Sequence, residues 1–450
     1  MALYAIIWKK LSNHGHVSKT QCGTKIMYKI LTKLTNTPEK KRLLGNFTSL
    51  AGLQIFTYAL PLITLPYLVR SLGIEKYGLV MFAQAFINFF HIIVDYGFNL
   101  SATREVAVYR DNQKKITEIF SSVLIIKIIL LFISFTILFI IITTIPKFST
   151  NKFLYILTFT IVVGQALFPI WYFQGMEKMK YITFVNIISR IVFTIAIFIF
   201  IRNEENYMLV PVLNGLGVCV GSFYALYIIK KEFKQQFTIP PLKTLIHYFK
   251  DSTQFFLSRA SVSMYTTANT FVLGFFTSNT MVGYYSIADK LYRAIQSLFS
   301  PLNQALYPFV AKERNIKLYK KILSFAIIIN IIGITFAFFA GEWIFSVFFT
   351  QKIGPESIKI FKIFLCANLL AVPSVLIGYP LLGAMGYTSF TNISVIISSI
   401  YHLLGLVVLM LLKSISIYSI AILFVSTVVV EFGIRAWGVK KYKLLRESDI

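Results

Sequence analysis

The chain has 450 residues and a formal net charge of +26, yet only 14% of its residues are charged while 56% are hydrophobic and 16% aromatic. A soluble domain carries roughly 25% charged residues, and no water-covered surface absorbs such an apolar excess, so a soluble fold is excluded. Nor does the positive charge describe a nucleic-acid surface, because it is scattered between apolar stretches and not gathered into one basic patch interleaved with aromatics.

The first element, Met1 to Arg42, is Lys-rich and has no long apolar region of the kind a secretory signal requires. Residues 1–45 are therefore expected to form a basic cytoplasmic tail, with His14 and His16 solvated and Met27 a second plausible start. Apolar stretches of spanning length then follow one another. A hydrocarbon layer about 30 Å thick needs roughly 20 helical residues, and every backbone amide in it must be bonded within its own segment. The expected spans are Leu50–Val69, Tyr77–Phe98, Ile119–Ile145, Phe153–Phe173, Ile182–Ile201 and Met208–Ile229, then Phe255–Phe276, Val282–Val310, Ile322–Phe349, Ile360–Leu382, Phe390–Leu412 and Ile415–Trp437. The sequence thus predicts an all-α polytopic membrane protein of about 12 transmembrane helices. Residues 46–229 would form a first six-helix bundle and 252–437 a second. Between them, residues 230–251 read as a basic cytoplasmic linker with five Lys and the Pro240-Pro241 pair; residues 438–450 read as a cytoplasmic C-terminal tail.

A faint repeat supports the division. Tyr181, Phe184, Asn186 and Ile187 recur as Tyr387, Phe390, Asn392 and Ile393 at an offset of 206, each set opening the fifth span of its half. At an offset of 205, Tyr77-Gly78 matches Val282-Gly283. An even number of spans per half lets both halves enter the membrane the same way, so they would be related by a pseudo-two-fold along the membrane normal.

Short loops rich in Lys and Arg stay in the cytoplasm. With the N-terminus inside, 29 of the 44 Lys and Arg fall on the cytoplasmic side, 8 on the other and 7 within spans, so both termini are expected in the cytoplasm. Cys22, Cys219 and Cys366 are far apart and none sits at metal-ligand spacing from a His, so neither a disulfide framework nor a metal site is expected.

Chemistry is expected from the polar residues a bilayer should exclude, since an ionised group at mid-membrane usually faces a wet cavity or a partner. Arg190 lies in the fifth span, Arg259 near the start of the seventh, and Lys290 and Arg293 in the eighth, with Lys127 in the third. Asp289 can pair with Arg293 at i,i+4, leaving Lys290 on another face. Lys127, Arg259 and Lys362 are also explained by snorkelling to the headgroups. A cavity lined by Arg190, Arg259, Lys290 and Arg293 would suit an anion, because guanidinium forks match phosphate oxygens; a pyrophosphate head would fit. His91 and Asp95, at i,i+4 in the second span, are candidate proton or cation sites, with Asp289 as a further acidic group. The plainer reading of Asp95 is a cap or a partner for Arg104. Prolines at 61, 66, 169, 211, 301, 308, 373 and 380 free carbonyls and are expected to kink their helices.

These residues carry a resemblance. Leu72-Gly73-Ile74-Glu75-Lys76-Tyr77-Gly78, Asp95 to Glu105, Trp171-Tyr172-Phe173-Gln174-Gly175 with Glu177-Lys178-Met179, Val282 to Lys290 and Leu306-Tyr307-Pro308 resemble polysaccharide-transporter flippases. Those belong to the multidrug/oligosaccharidyl-lipid/polysaccharide exporter superfamily, and the likeness covers about Arg42 to Lys440. It implies an O-antigen or related repeat-unit flippase of the bacterial inner membrane that moves a sugar unit on undecaprenyl pyrophosphate from the cytoplasmic to the periplasmic leaflet. Alternating access, coupling to an ion gradient and a cationic lumen are implied too, with Arg190, Arg259, Lys290 and Arg293 at intramembrane basic positions and Asp289 beside them. The implied partners are that lipid-linked oligosaccharide and the bilayer, with a polysaccharide polymerase and a chain-length regulator as further ones. No cofactor, metal or nucleic acid enters.

No bond is made or broken in such a task, so no catalytic residue is expected, and no G-x-x-x-x-G-K-[ST] loop points to an ATP-driven pump. A multidrug cation antiporter of the same superfamily would want an acidic cavity instead. A membrane-embedded polymerase or glycosyltransferase would more often carry a large outside loop.

Overall fold

The computed structural model describes residues 38–349 and 354–445, with side chains from Leu60 onward apart from residues 257–259 and 261–266. Most of the expected N-terminal tail, with His14, His16 and Met27, lies outside the described residues, as does the side chain of Arg259.

Among the described residues all regular structure is helical. The first half comprises α1 (Pro38–Asp95), α2 (Phe98–Val108), α3 (Gln113–Thr144), α4 (Pro146–Ser149), α5 (Lys152–Leu167), α6 (Ile170–Gly175), α7 (Met179–Phe200) and, after a 3₁₀ turn, α8 (Leu209–Glu232). The second comprises α9 (Leu242–Phe276), α10 (Asn279–Ser297), α11 (Ser300–Glu313), α12 (Ile316–Phe339), α13 (Gly341–Phe349), α14 (Pro355–Ile377), α15 (Thr388–Leu411) and α16 (Ile417–Lys441). Nine helices among the described residues are long and apolar enough to cross a membrane, counting Leu60–Val108 once.

The difference from twelve separate spans has local causes. The first two expected spans are the two arms of α1, which bends at Gly73 (φ 68°, ψ 164°). That backbone suits only a residue without a Cβ. The eighth breaks between Ser297 and Ser300, just before Pro301, into α10 and α11. Its first piece carries Asp289, Lys290 and Arg293, so it is not uniformly apolar. Of the seventh, only the shorter apolar stretch Thr267–Phe276 is counted, because side chains before it lie outside the described residues. The fourth and tenth count as spans although the fourth breaks at Pro169 into α5 and α6 and the tenth loosens into a π turn over Gly378–Gly383, around Pro380. The non-helical connection between the halves covers only residues 233–241, because α9 begins at Leu242 directly after the proline pair. That connection is held down: Gln235 donates to Thr117 Oγ1 (2.6 Å), and the Thr238 amide donates to Ser121 Oγ (3.0 Å).

Large apolar side chains such as Phe132, Phe139, Phe325, Phe339 and Leu404 stand exposed along α3, α12 and α15, a surface that hydrocarbon rather than water would cover. Inside, small residues let backbones meet, as membrane helices need. Gly164 on α5 faces Val218 and Cys219 on α8, and Ser222 donates to the Gly164 carbonyl at 2.7 Å.

The halves meet where α1 crosses α10. A Cβ on Gly78 would fall on the carbonyl of Asn279, and a Cβ on Gly283 on the carbonyl of Ile74. Both pairs of equivalents, 78 with 283 and 74 with 279, are 205 apart, so the contact is reciprocal, as across a two-fold axis. The turn before the fifth span of each half also recurs, though in a different register from the apolar match. Glu177 (φ 55°) and Gly386 (φ 96°) sit 209 apart, followed by matching bonds from Lys178 N to Phe173 O and Tyr387 N to Leu382 O, each 2.8 Å.

Candidate functional site

Two adjoining cavities of about 450 Å³ and 300 Å³ lie within the first bundle and at its border with the second: Lys290 is the one second-half residue lining the larger, whereas Thr267, Thr270, Ser286, Asp289 and Lys290 all line the smaller. Met81, Gln84, His91, Gln165, Asn214 and Lys290 line both, which makes them one polar lumen at the junction of α1, α5, α8 and α10. The second arm of α1 supplies its floor. Gln84, Asn88, His91 and Asp95 recur at spacings of four, three and four, so a single helix face carries them all.

The expected site residues distribute around this space. Arg190, projecting from α7, lines the larger cavity together with His91, Asp95 and Lys290. Asp289 and Lys290 line the smaller one. The lumen therefore receives one cation from each half. Lys290 Nζ also lies 5.3 Å from the Tyr77 ring centre, a cation–π contact across the α1–α10 crossing. Arg293 lines neither cavity; its Nε donates to Asp289 Oδ2 at 2.7 Å, and its side chain is 44% exposed.

Asp95 pairs with Lys127 at 3.4 Å and accepts from Asn99 Nδ2 at 2.8 Å. Lys127 does not reach for headgroups, because only 2% of its side chain is exposed. Arg104, the partner weighed for Asp95 in the plainer reading, instead pairs with Asp251 at 3.0 Å and with neighbouring Glu105 at 2.9 Å. In both contacts the Arg104 guanidinium donates and the carboxylate accepts.

Aromatic clusters join the halves near each end of the second arm of α1. At one end Phe86 stacks on Phe148 (4.5 Å) and Phe271 (5.6 Å), Phe82 stacks on the same two rings (6.0 Å and 5.9 Å), and Tyr155 lies edge-on to Phe82, Phe86 and Phe148, so the second arm of α1, α4, α5 and α9 meet there. At the end that carries Arg104, Tyr96 lies between Phe249 (4.4 Å) and Phe256 (4.7 Å), and Ser101 Oγ meets Ser252 Oγ at 2.7 Å.

Two polar clusters of the second half were not singled out from the sequence. His402 is fully buried, with Nδ1 2.7 Å from Thr427 Oγ1 and Nε2 2.7 Å from Asn269 Oδ1, tying α15, α16 and α9. Arg435, 5% exposed, pairs with Glu431 and donates to Ser374 and Ser394, fastening α16 to α14 and α15 beside the π turn. The signal for both was the polar residue in an apolar span, but apart from Glu431, one turn before Arg435, their partners lie tens of residues away. Gln84 and Asn88 were not singled out either, although their spacing from His91 puts them on its face.

Two membrane-spanning bundles that meet at a reciprocal crossing, with a polar lumen beside it, have the architecture of a membrane transporter. Solved structures share this fold: a lipid II flippase, MurJ, in an inward closed conformation matches over 87% of each chain with a TM-score of 0.72 and 17% identity. An inward-facing multidrug resistance MATE family transporter of the MOP superfamily matches over 87% of this chain and 96% of its own, with a TM-score of 0.66 and 14% identity. Residues 43–314 match the family described as "Polysaccharide biosynthesis protein", and the chain belongs to that family. Two curated proteins named "Putative O-antigen transporter" are similar to it. That of Escherichia coli strain K12 is 33% identical over 60% of this chain and 66% of its own length; that of Shigella dysenteriae is 28% identical over 84% and 96%.

Proposed function

We propose that the protein is a flippase that moves a sugar repeat unit, carried on undecaprenyl pyrophosphate, from the cytoplasmic to the periplasmic leaflet of a bacterial inner membrane, with both termini cytoplasmic. One observation carries the reading: Arg190 from the first bundle and Lys290 from the second line the same cavity. A pyrophosphate held between them would feel both halves at once, so its affinity differs between states in which the halves are tilted differently, and only such a difference lets a substrate shift an equilibrium. The neutral amides of Gln84, Gln165, Asn186 and Asn214 beside them suit sugar hydroxyls. The lipid tail stays in the hydrocarbon. A polymerase and a chain-length regulator are the partners such a step would feed.

The acidic groups weigh against a cation exporter, since Asp95 is engaged by Lys127 and Asn99, and Asp289 by Arg293. The test is flipping of a labelled undecaprenyl-pyrophosphate oligosaccharide in proteoliposomes, with and without an imposed ion gradient. Arg190→Ala and Lys290→Ala are each expected to slow flipping at least tenfold while the protein stays monodisperse. Wild-type rates in both variants would remove the anion-binding role, and export of lipophilic cations instead would favour the antiporter.

A further inference from the structure

A third cavity, of about 460 Å³, opens on the outer wall of the second bundle between α12, α14 and α16. It shares no residue with the lumen. Its wall is apolar, formed by residues such as Leu323, Ile327, Pro373, Phe432 and Ala436, and it runs up to Lys440 in the last turn of α16 and Lys443 just beyond. Both lysines are exposed, and no ion pair engages either among the described residues. The adjoining first turns of α12 add Lys317, Lys320 and Lys321 at the same end.

We propose that this groove binds an anionic phospholipid, its phosphate on Lys440 and Lys443 and the upper part of one acyl chain along Phe432 to Val439. Charge complementarity selects the occupant. An apolar groove facing hydrocarbon gains little from any particular chain, because lipid tails already surround it, so preference comes from the headgroup. Basic pockets between membrane helices at the cytoplasmic side are suited to anionic heads. From Phe432 to Lys440 is eight helical residues, about 12 Å, enough to order the upper part of one chain but not a second. The chain would brace Pro373 and Ile377, which lead directly into the π turn at Gly378. This site is independent of the lumen and of what the lumen carries.

Each lysine near an anionic surface is worth about a fivefold change in binding, so the pair accounts for roughly a twenty- to thirtyfold preference. The experiment measures binding of phosphatidylglycerol and of phosphatidylcholine to the purified full chain in detergent, by native mass spectrometry. Wild type is expected to retain phosphatidylglycerol over phosphatidylcholine by that factor, Lys440→Gln with Lys443→Gln to lose the preference, and Ala436→Trp, which fills the groove and leaves both lysines, to lose retention. Equal retention of the two lipids by wild type would overturn the site, as would a preference that survives the double substitution. Undiminished retention in Ala436→Trp would reduce it to general surface attraction and overturn it equally. The double substitution is on exposed residues, so its result does not depend on whether the tryptophan variant folds.

Discussion

Asp95 and Lys127 show how a residue's role depends on what reaches it through space. The carboxylate is 15% exposed and the ammonium 2%, and they meet at 3.4 Å in the wall of the lumen. Breaking a buried pair by removing one member leaves a charge without compensation, which costs about 3 kcal/mol or more, whereas removing both members together can be nearly neutral. Lys127→Met is therefore expected to lower the thermal unfolding midpoint in detergent by several degrees, and adding Asp95→Asn to recover most of the loss. Additive losses would mean that the two charges do not act as a pair. The sequence showed Asp95 as a titratable group in a span and placed His91 one turn before it, but not its partner, because Lys127 is 32 residues away and on another helix. Arg293 was legible for a different reason. Its partner Asp289 is one turn away, so helical periodicity alone placed it.

Among the elements, the crossing of α1 and α10 carries the association of the halves. Its closeness depends on hydrogen at two positions, since Gly78 and Gly283 each oppose a backbone carbonyl that cannot move as a side-chain tip can. Gly78→Ala is expected to cost about 1–3 kcal/mol, the range for overpacking a filled contact, seen as lower folded yield and a lower unfolding midpoint. The equivalent Gly283→Ala should cost a similar amount if the contact is truly reciprocal; a harmless Gly283→Ala would break that symmetry. The weak offset of 205 in the sequence had marked these two glycines as equivalents, and the fold brings them face to face. The bend at Gly73 and the break at Ser297 to Ser300 were not readable in the same way. Hydropathy records how apolar a stretch is, and a single backbone torsion leaves no trace in it. The His402 cluster lies between these cases, for a lone His in an apolar span asks for partners without naming them. Hydrogen bonds between membrane helices average about 0.6 kcal/mol and reach about 1.7. His402→Ala is thus expected to destabilise by about 1–2 kcal/mol, with flipping reduced no more than stability predicts; a larger loss of flipping in a stable variant would give His402 a part in transport.

At the scale of the whole molecule, a lumen that carries a polar head across must open to each side in turn, because a path open at both would leak ions and one open at neither would carry nothing. Near Arg104 identifiable contacts join the two halves: Tyr96 between Phe249 and Phe256, Arg104 with Asp251, and Ser101 with Ser252. All join α2 and the turn before it in the first half to α9 of the second, so the halves can part here only if those elements separate. The two serine oxygens are 2.7 Å apart, which brings their Cβ atoms near the separation of about 3.5–4.5 Å that a disulfide requires. With Cys22, Cys219 and Cys366 replaced by serine, Ser101→Cys together with Ser252→Cys is expected to cross-link on mild oxidation and to stop flipping, and reduction should restore it. Partial cross-linking should stop a matching fraction of the activity, since each locked molecule is lost whole. If fully cross-linked protein still flips its substrate, α2 and α9 move together, and the opening at this end lies between other helices, with the Arg104–Asp251 pair travelling intact inside one moving body.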